Sequence, residues 1–223
     1  MPRLPQSPGE RGSQKWIQLL VNRSPQLIDS PLLERLDAGH ITWLSPLQED
    51  DYAEYRDQAF LDRLYVILDR VPLSAFWPSG GPVWDGLART DRGQVILVEA
   101  KAHIPESISL MGAKAPQSVD QIQRSLDETK AYLRVRTSAD WTRPFYQYAN
   151  RLAHLYLLRV KNGIDAYVLM LYFVNAAGVK GPRSVDRWLG AIEMMDSAIG
   201  VSRHRLKRYC LTCFVDVGDM REI

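Results

Sequence analysis

The stretch VWDGLARTDRGQVILVEAKAH, residues 83–103, decides how the rest of the chain is read. Two strand-like runs flank the turn TDRG, where Gly93 supplies the backbone freedom, so the pattern predicts a β-hairpin. In the second run the apolar Val95, Ile96, Leu97 and Val98 are followed by Glu99 and Lys101. Ionisable groups inside an apolar run cost free energy unless something pairs with them. Residues two apart in a strand share a face, so Glu99 and Lys101 point one way and Val98 and Ala100 the other. Asp85 stands on the first run, with thirteen residues between it and Glu99. A hairpin closes that gap and gathers two carboxylates and an ammonium into one patch.

Upstream, residues 50–70 carry Phe60, Leu64, Ile67 and Leu68 at helical spacing, and Asp51 with Glu54 matches a capping box that would start the helix. PLLERLDAG, residues 31–39, predicts a shorter helix ended by Gly39. Residues 1–15 lack an apolar run and are expected to be a disordered tail. Downstream, residues 105–116 form a loop long enough to suggest function. Ser118 and Gln121 repeat the capping-box pattern at the head of a helix over 118–135. A second helix over 145–163 stops at Asn162-Gly163, and the apolar run 166–174 reads as a strand buried on both faces. A helix near 184–200 and a last strand over 208–217 complete an α/β order with a mixed sheet, in one domain spanning residues 16–223.

Composition narrows the class without naming a ligand. A net charge of +2 in 223 residues permits a polyanionic partner and does not require one. The two cysteines, Cys210 and Cys213, have C-x-x-C spacing but no second pair to complete a zinc site, and in a strand they face opposite ways. They read as small apolar residues of a protein in a reducing compartment. The run 166–174 is about half the length of a membrane-spanning helix. The expectation is a cytoplasmic protein with no membrane partner.

Close carboxylates repel, and a hard cation or a shared proton relieves them. Asp85, Glu99-x-Lys101 on a hairpin, with a helix before it, a helix after it and a further buried strand, resembles the PD-(D/E)xK nuclease superfamily over about residues 50–175. Trp84 stands where that name would place proline, with Pro82 two positions further upstream. The resemblance implies a restriction-endonuclease-like three-layer core, a central mixed β-sheet flanked by helices. It further implies hydrolysis of DNA phosphodiesters with Mg²⁺ or Mn²⁺, leaving RNA open, and often a homodimer. Asp85 and Glu99 would hold the ion, and Lys101 would position the water. A module of the same fold that binds nucleic acid or protein with weak or no catalysis, in a repair or defence complex, is the alternative. An exposed Glu99–Lys101 pair at a strand edge is the plain one.

Members of that superfamily often add an acid from the first helix. Here Glu54 and Asp57 compete for that place: Glu54 is accounted for by its capping box, so Asp57, three, four and seven residues before apolar positions, is the preferred third metal ligand, with Glu54 the other choice. His103 has the same strand parity as Glu99 and Lys101 but is not counted in the site. Gln147, Asn150, Arg151 and His154 recur at helical spacing and form one polar stripe. The resemblance implies that Gln147 lies near the site, with Arg151 beside it as a substrate contact; a solvated helix face gives the same spacing. Basic residues cluster at 203–208 and at Arg124, Lys130, Arg134 and Arg136, where they contact either phosphates or water.

Overall fold

The computed structural model describes residues 3–135 and 137–220. In chain order the elements are β1 (Arg3–Leu4), α1 (Gly12–Arg23), α2 (Gln26–Leu36), β2 (Ile41–Ser45), β3 (Glu54–Tyr55), α3 (Gln58–Arg63), α4 (Leu73–Phe76), β4 (Gly86–Thr90) and β5 (Val95–Lys101). Then follow α5 (Pro116–Leu133), α6 (Tyr146–Tyr156), β6 (Ala166–Val174), α7 (Val185–Ile199) and β7 (Cys210–Asp216). A five-stranded sheet of order β2-β4-β5-β6-β7 runs through the centre, antiparallel from β2 to β5 and parallel from β5 to β7. The expected α/β class with a mixed central sheet is what forms.

The β4–β5 hairpin is present, and Gly93 turns it at φ +80°. Every residue of β5 is buried, because the strand has a neighbour on each edge and a helical layer on each face. Ile96, Val98 and Ala100 join α1 and α2 in one core, with Trp16, Ile17, Leu20 and Leu32. Val95 and Leu97 face the other core, built with Leu126 of α5 and Ala149 and Leu152 of α6. The period of two in β5 therefore assigns Glu99 and Lys101 to the α5–α6 side. Strand β6 lies between two parallel strands and is apolar on both faces, as such strands are. Cys210 enters one core and Cys213 packs against the other, the opposite facing that their spacing required.

Several expectations are corrected. Residues 3–15, read as tail, supply β1 and the start of α1, and β1 pairs with β3. The long helix of residues 50–70 does not form. Positive φ at Asp51, Tyr52, Asp57 and Tyr65 breaks it, and only the six residues of α3 are helical there. Tertiary pairing overrides the apolar spacing: Tyr55 pairs with Arg3 on one side and bridges to Trp84 on the other. Phe60, Leu61 and Leu64 are still buried, but Ile67, expected in the same stripe, is 76% exposed. The second capping box is absent too, since α5 starts at Pro116, whose missing N–H needs no partner at a helix start. Asp37 in the left-handed region ends α2, two residues before Gly39. No described helix is long and apolar enough to cross a membrane.

Candidate functional site

The hairpin register sets the site. Gly86 pairs with Val98, so the register continued by one residue sets Asp85 opposite Glu99. Asp85 lies in the bend just before β4, and its Oδ2 accepts from the Ala100 amide at 2.7 Å, replacing the ladder bond that β4 no longer offers. Its other oxygen remains for the site. Gly86 makes the bend possible, because a Cβ there would meet Ile17 Cδ1 and the Ser45 carbonyl at 3.2 Å and Val98 Cβ at 3.3 Å.

Glu99 and Lys101 are buried, 1% and 7% exposed, and paired with each other. That excludes the plain alternative of an exposed edge pair. Helix α6 supplies the rest. Arg151, 2% exposed, donates through Nε to Glu99 Oε2 at 2.6 Å and through its second terminal nitrogen to the Val83 carbonyl at 2.8 Å. Its guanidinium lies 4.4 Å from the ring centroid of Trp84, the cation–π support that keeps an arginine in place. Gln147 Oε1 accepts from Lys101 Nζ at 3.2 Å. Both residues expected to reach substrate from α6 are therefore brought to the patch. The polar stripe is not a solvated face: Asn150 and His154 are also buried, at 4% and 1% exposure. His154 is stacked edge-on against Trp77 and Trp84, and burial pushes it down to about 4, so it belongs to the packing.

The third acid of the patch is the one set aside by the capping-box argument. Strand β3 carries Glu54 next to Tyr55, whose bridge to Trp84 ties it to the hairpin. Burial first, then the charges of Asp85 and Glu99, push Glu54 up to about 8. Asp57 does something else. Its two oxygens accept from the amides of Gly80 and Gly81 at 3.1 and 2.9 Å and pin that loop. Asp57, preferred over Glu54 as the third acid, is thus engaged by the Gly80 and Gly81 amides, and the acid that feels the charges of Asp85 and Glu99 is Glu54. No local signal pointed to this, because the glycine amides that Asp57 serves lie 23 and 24 residues further along the chain, and Glu54 loses its cap only once the long-range pairing of Tyr55 removes the helix.

The electrostatics of the patch are uneven. Burial and then the Glu99 charge raise Asp85 to about 7. Burial also opposes ionisation of Glu99, but Arg151 and Lys101 outweigh it and hold that carboxyl below its usual range. Lys101 loses to burial and gains more from Glu99 and Asp85, so it stays above its ordinary value and protonated. A protonated lysine orients and neutralises; it does not take a proton.

The patch forms the floor of a cavity of about 710 Å³. One wall is the loop from Ser79 to Val83 that Asp57 pins, and the other is the segment from Ser109 to Ala115, inside the stretch expected as a functional loop. His103 lies 3.0 Å from Glu106 and does not line the cavity. The basic clusters lie elsewhere: Arg205 stacks on Tyr132 and Arg208 on Tyr209, and Arg136 is outside the described residues. Among the described residues no three His, Cys, Asp or Glu side chains converge as a ready-made metal cage, and both oxygens of Glu99 are taken by cations. The donor set nonetheless fits a hard cation: Glu54 and Asp85 are oxygen donors crowded enough to have raised proton affinity, and a metal relieves the same field. Comparison with family models, curated proteins and solved structures finds no match.

Proposed function

We propose that this chain is a metal-dependent nuclease that hydrolyses DNA phosphodiesters on a restriction-endonuclease-like core. The observation that carries the reading is the burial of Glu99 and Lys101 on one face of β5, beside Asp85, at the floor of an open cavity. The order of elements supports it: a helix, three antiparallel strands β2, β4 and β5, helices, then β6 parallel to β5. Burying an ion pair does not by itself stabilise a fold, so a buried acid–lysine pair under a cavity is better explained by chemistry above it.

Mg²⁺ or Mn²⁺ bound by Asp85, Glu54 and, after exchange of a cation, Glu99 would supply Lewis acidity toward water and the phosphoryl oxygens. Lys101 orients the attacking water and offsets charge on the phosphate. Gln147 fixes the Lys101 ammonium, and Arg151 sets the Glu99 carboxylate. The test is divalent-dependent cleavage of DNA by the wild type, Glu99→Ala and Lys101→Ala. Loss in both variants supports the reading; an inert wild type that binds neither metal by calorimetry sinks it. A second reading, nucleic-acid binding without hydrolysis, rests on the double grip that Lys101 and Arg151 keep on Glu99. It predicts that DNA is bound in EDTA and left intact in Mg²⁺ and Mn²⁺.

A further inference from the structure

Resting on that reading, we infer that the substrate is an unpaired DNA strand, a free single strand or a single-stranded tail, and not an uninterrupted duplex. Three observations converge. The first is size: about 710 Å³ lies within the range of about 300–1,000 Å³ that holds a small ligand. A cavity of that volume holds one or two nucleotides and is too small to take in a run of stacked base pairs, whose major groove alone is about 12 Å wide and about 8.5 Å deep.

The second is depth. Glu99, Lys101 and Arg151 are each under a tenth exposed and line the cavity together with the two wall segments. A scissile phosphate must descend to them, and a single backbone does so where a rigid duplex is stopped at the rim. Asp57 holds one of those segments through two amides, so the wall is a fixed part of the entrance.

The third is the chemistry of the rim. Leu110 lines the cavity yet is 62% exposed, Tyr146 lines it from the start of α6, and Lys114 stands exposed on the same segment as Leu110. Duplex recognition makes little use of an exposed apolar side chain beside an aromatic ring, because paired bases are stacked inward. Unpaired bases are bound by flat and apolar surfaces with a cation alongside for the phosphate.

The experiment uses the full chain and fluorescein-labelled dT20, a blunt 20-base-pair duplex, the same duplex with a dT10 tail, and rU20. Binding is measured by anisotropy in EDTA and cleavage in Mg²⁺ and Mn²⁺. Stacking of about 1–3 kcal/mol per base corresponds to at least about fivefold tighter binding of dT20 and the tailed duplex than of the blunt one. Leu110→Ser and Tyr146→Leu, both checked by thermal melting, should each lower dT20 affinity severalfold; Leu110→Ser tests the idea even where Tyr146→Leu melts early. Equal binding and cutting of blunt duplex overturns the inference and leaves the nuclease reading standing. Tight dT20 binding with no cleavage overturns the nuclease reading and supports the choice of strand. Preference for rU20 over dT20 overturns the assignment to DNA.

Discussion

Replacing Glu54 by glutamine should stabilise the protein in alkaline solution and leave it unchanged in acid. Glu54 has an ordinary pKa of 4.5 and is pushed up to about 8 in the folded chain. A carboxyl raised on folding contributes stability that is fully present below the unfolded pKa and is lost as pH rises through the folded one. The window is therefore about pH 4.5 to 8. Between pH 5 and 9 the full linkage comes to about 4 kcal/mol, at 1.36 kcal/mol per unit. Water reaches part of the group, and relaxation of the patch lowers this to about 2 kcal/mol. For a chain of 223 residues that is a fall in Tm of about 4–8 °C across the range beyond whatever the other groups cause. Thermal melts of wild type and Glu54→Gln every pH unit from 5 to 9, in EDTA, measure it. Curves that run parallel would refute the claim that Glu54 is crowded by Asp85 and Glu99.

The other expectations follow from single contacts. Arg151→Met leaves Glu99 with only one buried partner and should cost about 3–5 kcal/mol in urea unfolding; a loss under 1 kcal/mol would mean that Glu99 is not held by this arginine. Asp57→Ala removes two acceptors from the Gly80–Gly81 loop and should cost about 1–3 kcal/mol while leaving Mn²⁺ affinity within about twofold, whereas Glu54→Gln and Asp85→Asn lower that affinity. A large loss of Mn²⁺ binding in Asp57→Ala would restore it as a ligand. Gly86→Ala sets a methyl against Ile17, Ser45 and Val98 at 3.2–3.3 Å and should destabilise by about 1–3 kcal/mol; an unchanged denaturation midpoint would show that α1 is free to move away.

What the sequence made legible was whatever depends on a short period. Val95 to Lys101 alternates with the sheet, so the partition of Glu99 and Lys101 from Val98 and Ala100 was readable, and Gly93 marked the turn. The run 166–174 was readable because a strand between two parallel neighbours is apolar throughout. Residues 50–70 were misread because their helical spacing is real but local. Tyr55 pairs with Arg3 and Trp84, far away in sequence, and no periodicity reports such a partner. That one error carried the third acid with it, since Glu54 could be a cap only in a helix that does not exist. The burial of Asn150, Arg151 and His154 was hidden for a different reason: a polar stripe looks the same whether it faces water or a buried carboxylate and three aromatic rings.

Strand β5 is the third of five, paired with β6 along its whole length and with β4 as far as Val98, beyond which Asp85 takes the Ala100 amide, and it is covered on both faces. The amides around Glu99 should thus be among the slowest in the molecule to exchange with deuterium, opening only when the whole chain unfolds. The entrance has the opposite character, because its walls are connections between elements. The buried floor and the entrance can therefore vary independently of each other. Insertions and substitutions in residues 79–83 and 109–115 can retune what enters, generation after generation, while the acids below keep their places.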